Sequence, residues 1–182
     1  MHNTCAIDFL TVPTATFRIL YVLVILHHQS RKVVHFNVTE NPTARWTAQQ
    51  ITEAFPWDTA PKYLLRDRDG VYGDCFQRRV QNLGIEEVKT APRSPWQNPS
   101  AERMIGSIRR ECLDHMIVLN AEHLRKILTE YFSYYSNDRT HLSLGKDTPF
   151  GCVVEYRPGD GKVIALPRVG GLHHRYEWRE AA

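Results

Sequence analysis

The stretch CAIDFLTVPTATFRILYVLVIL, residues 5–26, sets the beginning of the fold. It contains two β-branched and aromatic runs, residues 5–12 and 17–26, and the PTAT between them has the composition of a turn. The second run is apolar almost throughout, which is typical of a central strand buried on both faces. After a polar break, apolar and polar residues alternate in VVHFNVT (33–39), which predicts a third strand nearer an edge of the sheet. The short connections predict an antiparallel meander.

The rest of the chain alternates between helical and extended patterns. Helices are predicted at residues 43–55, 74–83, 100–112 and 121–136, with Asp74 as the cap of the second helix and Gly84 as its stop. KYLLRD (62–67) and IEEVKTA (85–91) predict two further strands. The fold class expected is therefore α/β, with a mixed sheet of about five strands flanked by helices. Residues 151–182 are Gly-rich with short strand patterns, and they predict a small C-terminal β tail.

Composition narrows the functional classes. The chain has 182 residues, 42% hydrophobic and 24% charged, as expected for one globular domain. Its longest apolar run, residues 19–26, is far below the roughly 18 residues that a membrane span needs, and no signal peptide pattern precedes it, so a cytoplasmic location is expected. The four cysteines form no CxxC pair, which argues against a zinc ribbon or a disulfide framework. A net charge of +3 permits nucleic acid as a partner without establishing it.

Aspartates interrupt two of the predicted strands. Asp8 lies within an apolar strand, where a lone ionised carboxylate is costly, so it needs water, an arginine or a metal ion as its partner. In LLRDRDGVYG, Asp67 and Asp69 would point to one side of an extended chain, with Arg66 and Arg68 on the other. Asp69-Gly70 is also a turn dipeptide, which favours Asp69 as a turn residue and Asp67 as the functional carboxylate.

A third carboxylate, Glu102, lies in the first turn of its helix, 35 residues after Asp67. A helix dipole alone would favour an acid there. Gly106, one turn later, costs helix stability by roughly 1 kcal/mol relative to Ala and leaves space on the same flank. Carboxylates on the first strand, after the fourth strand and on a later helix match a site for two divalent ions, and hard oxygen ligands suit Mg²⁺.

These residues lie in segments that resemble a known family. DFLTVPT, LLRDRDGVYG, SPWQNPSAERMIGSIRREC and YYSNDRTHLSLGKDTP resemble the integrase core of insertion-sequence transposases with a DDE triad, and more distantly retroviral integrases, over residues 5–150. The resemblance implies a ribonuclease H-like fold, two Mg²⁺ or Mn²⁺ ions held by Asp8, Asp67 and Glu102, and DNA strand cleavage and transfer by a homo-oligomer on DNA. The family has an aromatic residue five positions after its second aspartate, and Tyr72 lies five positions after Asp67. No small-molecule cofactor is expected.

Basic and aromatic residues in and beside these segments are candidates for DNA contacts. Arginines there would bind phosphates without reading sequence. Trp96, in the loop before the third helix, would either stack on a displaced base or anchor the loop. The candidates are Arg66, Arg68, Arg93, Trp96, Arg103, Arg109 and Arg110.

The organisation expected is a catalytic core over residues 1–150 and the β tail over residues 151–182, without the upstream DNA-recognition region that family members usually carry. The chain thus resembles a truncated or split transposase. Three functions remain open: a metal-dependent transposition core, a catalytically silent remnant that binds DNA or other subunits, and a ribonuclease for RNA–DNA hybrids. The intact triad favours the first, and the short N-terminus favours the second.

Overall fold

The computed structural model describes residues 3–92, 94–152, 156–157 and 159–180. Strands and helices alternate along the chain much as the sequence pattern predicts. The strands are β1 (Thr4–Pro13), β2 (Ile19–His27), β3 (Val33–Thr39), β4 (Tyr63–Arg66), β5 (Glu86–Lys89), β6 (Lys162–Arg168) and β7 (His173–Arg179). The helices are α1 (Ala44–Ala54), α2 (Asp74–Asn82), α3 (Pro99–Glu111) and α4 (Ala121–Asn137).

The first five strands form one mixed sheet in the order β3-β2-β1-β4-β5. β1, β2 and β3 make the predicted antiparallel meander, while β4 and β5 join it in parallel. β2 is buried almost throughout and β3 lies at the edge, as expected from their apolar and alternating patterns. The predicted mixed five-stranded sheet flanked by helices is confirmed.

Helices cover both faces of this sheet. α3 and α4 pack on the face formed by alternate β1 residues such as Ala6 and Leu10. α1 and α2 pack on the opposite face, which includes Cys5 and Ile7. Because strand side chains alternate between faces, the two cores are interleaved along β1. Asp8 therefore belongs to the face that α3 covers.

The ends of α2 differ partly from the prediction. Asp74 is the first helical residue and not the cap, which is Gly73 and makes no side-chain capping bond. The acid still lies where the positive end of the helix dipole favours it. Gly84 follows the helix with a φ of +70°, the left-handed conformation that glycine adopts at helix ends at little cost.

The predicted C-terminal β tail is an antiparallel hairpin of β6 and β7. It is tied to the end of α4 because Arg168 and Arg175 both contact the Asp138 carboxylate, at 2.7 and 3.3 Å. The His173 ring also stacks on Tyr134, with centroids 4.2 Å apart. Among the described residues, no helix is long and apolar enough to cross a membrane. The cytoplasmic location stays a prediction.

Candidate active site

Asp8 is held in the middle of β1, on the face that α3 covers. Its Oδ1 accepts a hydrogen bond from the Phe9 N–H at 2.8 Å. Burial, together with the charges of Asp67, Glu102 and Asp69, raises the pKa of this carboxyl to about 7, against the lowering effect of the Phe9 hydrogen bond. The site thus concentrates negative charge around a half-buried carboxylate.

Asp67 follows directly after β4, the strand that pairs in parallel with β1. The ladder pairs Cys5 with Leu64 and Ala6 with Leu65, and the same register continued by two residues sets Asp67 opposite Asp8. Asp67 is exposed, and its Oδ1 accepts the Asp69 N–H at 3.1 Å. The parallel register therefore brings together two carboxylates that are far apart in sequence.

Asp69 has a local structural role. It caps the short 3-10 helix Gly70–Tyr72, and its Oδ1 accepts the Val71 N–H at 3.1 Å. This confirms the expectation that Asp69 shapes the turn. The Asp69 carboxylate nevertheless lies close enough to add to the negative potential at Asp8.

Glu102 comes to the same place from α3. It is exposed in the first turn of the helix, and its N–H donates to the Asn98 carbonyl at 3.1 Å. A cleft of about 370 Å³ is lined by Asp8, Asp67, Asp69 and Glu102, together with Arg68, Thr90, Ala91, Pro92, Ser94 and Asn98. The three predicted site carboxylates thus line a single cleft, contributed by two strands and one helix.

The donor set of this cleft fits a hard divalent cation. Its acidic side chains offer only oxygen ligands, and burial together with the neighbouring carboxylates raises the pKa of Asp8. Within the described residues, however, no group of three or more His, Cys, Asp or Glu side chains lies in an arrangement that could hold a metal ion as it stands. Metal binding would therefore require the carboxylates to move together.

Asn98 is a site residue that the sequence reasoning missed. Its side chain is buried at 4% exposure, and its Nδ2 donates to the Ile7 carbonyl at 3.4 Å. Its own carbonyl accepts the N–H of Glu102. Asn98 therefore connects the residue before Asp8 with the helical turn that carries Glu102. An asparagine beside Pro99 at the start of a helix could have drawn attention to this position.

Arg66 is buried and does not reach the surface, so its prediction as a DNA contact is wrong. Its side chain is 3% exposed and its Nε bonds Glu87 Oε2 at 2.5 Å. Its guanidinium lies 4.9 Å from the centroid of the Tyr72 ring. The alternation of β4 explains this burial: Asp67 shares the face of Leu65, whereas Arg66 shares the face of Leu64, which α2 covers. Arg66 therefore stabilises the sheet.

The other candidate cations lie in different surroundings. Arg68 lines the cleft, and its Nε donates to the Thr90 carbonyl at 2.9 Å. Arg103 and Arg109 are exposed on α3, and Arg109 Nη2 lies 3.4 Å from the Thr11 carbonyl. Arg110 folds back over Gly106, so that a Cβ added at this glycine would lie 2.9 Å from Arg110 Nη1. The space expected over Gly106 is thus occupied by the helix's own arginine.

The loop before α3 contains the last two candidates. Trp96 is 71% exposed, so it is not a packed anchor of the loop. Its indole is free to meet a ligand. Arg93 lies outside the described residues.

The sheet order and the helices on both faces define a ribonuclease H-like fold, with an acidic cleft beside β1 and β4. The model of the integrase core domain family matches residues 83–149. A protein of Escherichia coli (strain K12), named as the transposase InsK for insertion sequence element IS150, is 25% identical over 144 residues, covering 77% of this chain and 49% of that protein. The chain therefore spans about half the length of this relative.

Solved structures show the same fold. The catalytic domain of the Mos1 mariner transposase is similar with a TM-score of 0.62 and 16% identity, covering 72% of this chain and 70% of that one. The HTLV-2 integrase catalytic core domain, solved with magnesium in a dimeric form, has a TM-score of 0.62 and 12% identity, covering 82% and 94% of the two chains. The resemblance to integrase and transposase cores that the sequence motifs indicate is confirmed, as is the ribonuclease H-like fold.

Proposed function

We propose that this chain is the catalytic core of a transposase or integrase that cleaves and transfers DNA strands with the help of Mg²⁺ or Mn²⁺. The observation that carries the proposal is the convergence of Asp8, Asp67 and Glu102 on one cleft. These carboxylates come from separate elements, and the negative charge they share raises the pKa of Asp8. Carboxylates that raise one another's pKa cost folding stability, which favours a functional role for this cluster over a structural one.

In this proposal Asp8, Asp67 and Glu102 hold two divalent ions. Bound there, the ions would stabilise the attacking and leaving oxygens of a phosphoryl displacement. Asp8 is deprotonated when it binds, because only the charged carboxylate is a strong ligand. Asn98 keeps the helix of Glu102 against the strand of Asp8.

DNA would cross the cleft with its phosphates against the exposed arginines and a base against Trp96. Such contacts give affinity without sequence selectivity. The proposed contact residues are Arg68, Arg93, Trp96, Arg103, Arg109 and Arg110. A homo-oligomer on DNA is also proposed, and the dimeric form of the HTLV-2 core supports it.

One observation favours the second candidate, a catalytically silent core that binds DNA or other subunits. In the part of the chain that the structure describes, the acidic side chains do not form a ready-made metal group. If the carboxylates cannot close around an ion, the cleft would bind DNA only through its cationic border.

A nicking assay separates the candidates. Supercoiled DNA, linear duplex DNA and an RNA–DNA hybrid are incubated with the purified protein in Mg²⁺, Mn²⁺ or Ca²⁺. The proposed function requires DNA nicking in Mg²⁺ or Mn²⁺ that Asp8→Asn abolishes. Asp58→Asn is the matched control, since Asp58 is an exposed aspartate outside the cleft. DNA binding without nicking in any metal supports the silent core, and cleavage confined to the hybrid would indicate a ribonuclease.

A further inference from the structure

A second groove, between α1 and α2, is lined mainly by polar and cationic side chains. From α2 it receives Cys75, Arg78, Arg79 and Asn82, which are spaced i, i+3, i+4 and i+7 and so form one stripe of the helix. From α1 it receives Arg45 and Trp46 among others. Its volume is about 990 Å³. We call it the arginine groove.

The charge of the arginine groove is not balanced locally. None of the residues that line it is acidic. Within the described part of the chain, no ion pair involves Arg45, Arg78 or Arg79. The acids on the two helices, Glu53 and Asp74, form no ion pair with these arginines among the described residues: Glu53 lies 3.8 Å from the His35 Nε2 and accepts a hydrogen bond from Gln49 at 3.2 Å. Three arginines therefore border one groove without a carboxylate.

Helix stability does not explain this arrangement. The dipole of α2 favours Arg79 in its last turn. The same effect disfavours Arg45, which lies in the first turn of α1, where acids are preferred. Arg78 and Arg79 add repulsion as neighbouring like charges. An anion bound in the groove would offset both costs.

The arginine groove lies on the sheet face opposite Asp8, and it approaches the carboxylate cleft at the segment that follows Asp69. Trp46, on its wall, lies 6.3 Å from the ring centroid of Phe9, which follows Asp8 in β1 but points to the α1 face. The start of α1 also touches the segment that follows Asp69: a Cβ added at Gly73 would lie 3.2 Å from the Cβ of Ala44. A long polyanion in the cleft could therefore continue into the groove around this segment.

We infer that the arginine groove binds the phosphate backbone of the DNA duplex beyond the cleavage point. This inference rests on the proposed function, because the duplex it holds is the substrate of the carboxylate cleft. Guanidinium groups suit phosphates through paired N–H donors. An acidic protein segment would match the charge as well, but the position beside the cleft favours the DNA that enters it.

The test replaces the three groove arginines together, as Arg45→Gln, Arg78→Gln and Arg79→Gln. The control variant loses the same charge at exposed positions elsewhere, as Arg18→Gln, Lys126→Gln and Arg179→Gln. Binding of a duplex that extends well past the cleft is measured by fluorescence anisotropy over a range of salt concentrations. Each lost phosphate contact lowers the slope of log K against log salt by about 0.9, so the groove variant is expected to lose about 2.7.

The groove variant should also bind the long duplex at least about tenfold more weakly at 0.1 M salt. Its kcat for nicking should be unchanged, with a raised KM. The control variant should keep the wild-type salt slope for DNA binding and the wild-type KM for nicking. A cooperative thermal unfolding transition within a few degrees of the wild-type midpoint shows that the groove variant is folded, since the favourable position of Arg79 is lost but repulsion among the arginines is relieved.

The outcomes separate this inference from the proposed function. If the wild type binds and nicks DNA but the groove variant keeps the wild-type salt slope, the arginine groove is not a DNA site and the function stands. If the groove variant loses binding to polyglutamate and not to DNA, the partner is an acidic protein and the inference fails. If the wild type neither binds nor nicks DNA, both proposals fail together.

Discussion

Asp8 and Asp67 line one cleft just beyond the end of the parallel β1–β4 ladder, whose last pair is Ala6 and Leu65. They are 59 residues apart in sequence. Hydrogen bonding in the sheet therefore holds two like charges together, and the pKa of Asp8 rises to about 7 under burial and these neighbouring charges. The consequences can be measured in the metal-free protein.

Asp8→Asn should stabilise the metal-free protein at alkaline pH. The folded-state pKa of Asp8, about 7, lies above its ordinary value of 3.8, so the folded state holds the proton more tightly. Its contribution to stability is therefore lost as pH rises from about 4 to about 7. The variant should remove this part of the pH dependence in denaturant titrations. If the wild type and Asp8→Asn lost the same free energy of unfolding between pH 4 and pH 7, the raised pKa of Asp8 would be contradicted.

Mg²⁺ or Mn²⁺ should raise the midpoint of thermal unfolding of the wild type, because a ligand that binds only the folded state stabilises it. At 100 times the dissociation constant the gain is about 2.7 kcal/mol. Asp8→Asn should lose this response while Asp58→Asn keeps it. Equal shifts in both variants would place the metal elsewhere.

Asp67→Asn should lower activity far more than Asp69→Asn. Asp67→Asn keeps an oxygen that can accept the Asp69 N–H, so the turn is retained, but it removes a proposed metal ligand. Nicking should fall by at least about 100-fold, as expected when several kcal/mol of stabilisation by the metal are lost. Asp69→Asn keeps a residue that can cap the 3-10 helix, and its nicking rate should fall only modestly. The reverse result would make Asp69 the second ligand.

Asn98→Ala should destabilise the fold by about 1–2 kcal/mol, because a buried hydrogen bond to the Ile7 carbonyl is lost. It should also raise the metal concentration needed for half-maximal nicking, since the helix of Glu102 is no longer held to β1. Urea unfolding and a Mn²⁺ titration measure the two effects. A loss of stability with an unchanged metal requirement would limit Asn98 to a structural role.

A polar cluster at the end of α4 should make the protein sensitive to acid. Burial raises the pKa of Glu111, but hydrogen bonds and charge from Arg139, at 2.6 and 2.7 Å, hold it below its ordinary value of 4.5. Burial, followed by the charges of Arg139 and Arg31, holds the pKa of His141 below 6.5. Both shifts lower the affinity of the folded state for protons, so stability should fall as pH drops below 6.5 and again below 4.5.

Measurement in the Asp8→Asn background avoids the opposite contribution of Asp8. There, His141→Gln should flatten the upper part of the acid decline, and Glu111→Gln should flatten the lower part at the cost of a weaker contact with Arg139. Denaturant titrations across this pH range provide the readout. An acid decline unchanged by either substitution would assign the sensitivity to other groups.

Much of the fold could be predicted from local patterns. The apolar run of β2 and the alternation of β3 gave their central and edge positions, because burial on one or two faces leaves a period in the sequence. The motif around Asp67 and Glu102 could likewise be related to a known family. Local turn chemistry assigned Asp69 to the turn, which its hydrogen bond to Val71 confirms.

Long-range packing decided what local patterns could not. The sequence pattern places Arg66 and Arg68 on the same side of an extended chain, opposite Asp67. In the structure, Arg66 is buried against α2 and Arg68 lines the cleft. The strand ends at Arg66, and Arg68 in the loop that follows turns to the cleft, where its Nε donates to the Thr90 carbonyl. Whether an arginine is buried depends on which helix covers its face of the sheet. The residues next to it in the sequence do not specify that helix.

The sequence by itself thus determined the kind of fold and the candidate carboxylates, because hydrophobic period and turn residues act over a few positions. Only the tertiary structure decided that Asn98 connects the strand of Asp8 to the helix of Glu102. It also decided that Arg45 shares a groove with Arg78. Such neighbours come from sheet register and helix packing, which join residues far apart in the chain through contacts that no short segment specifies.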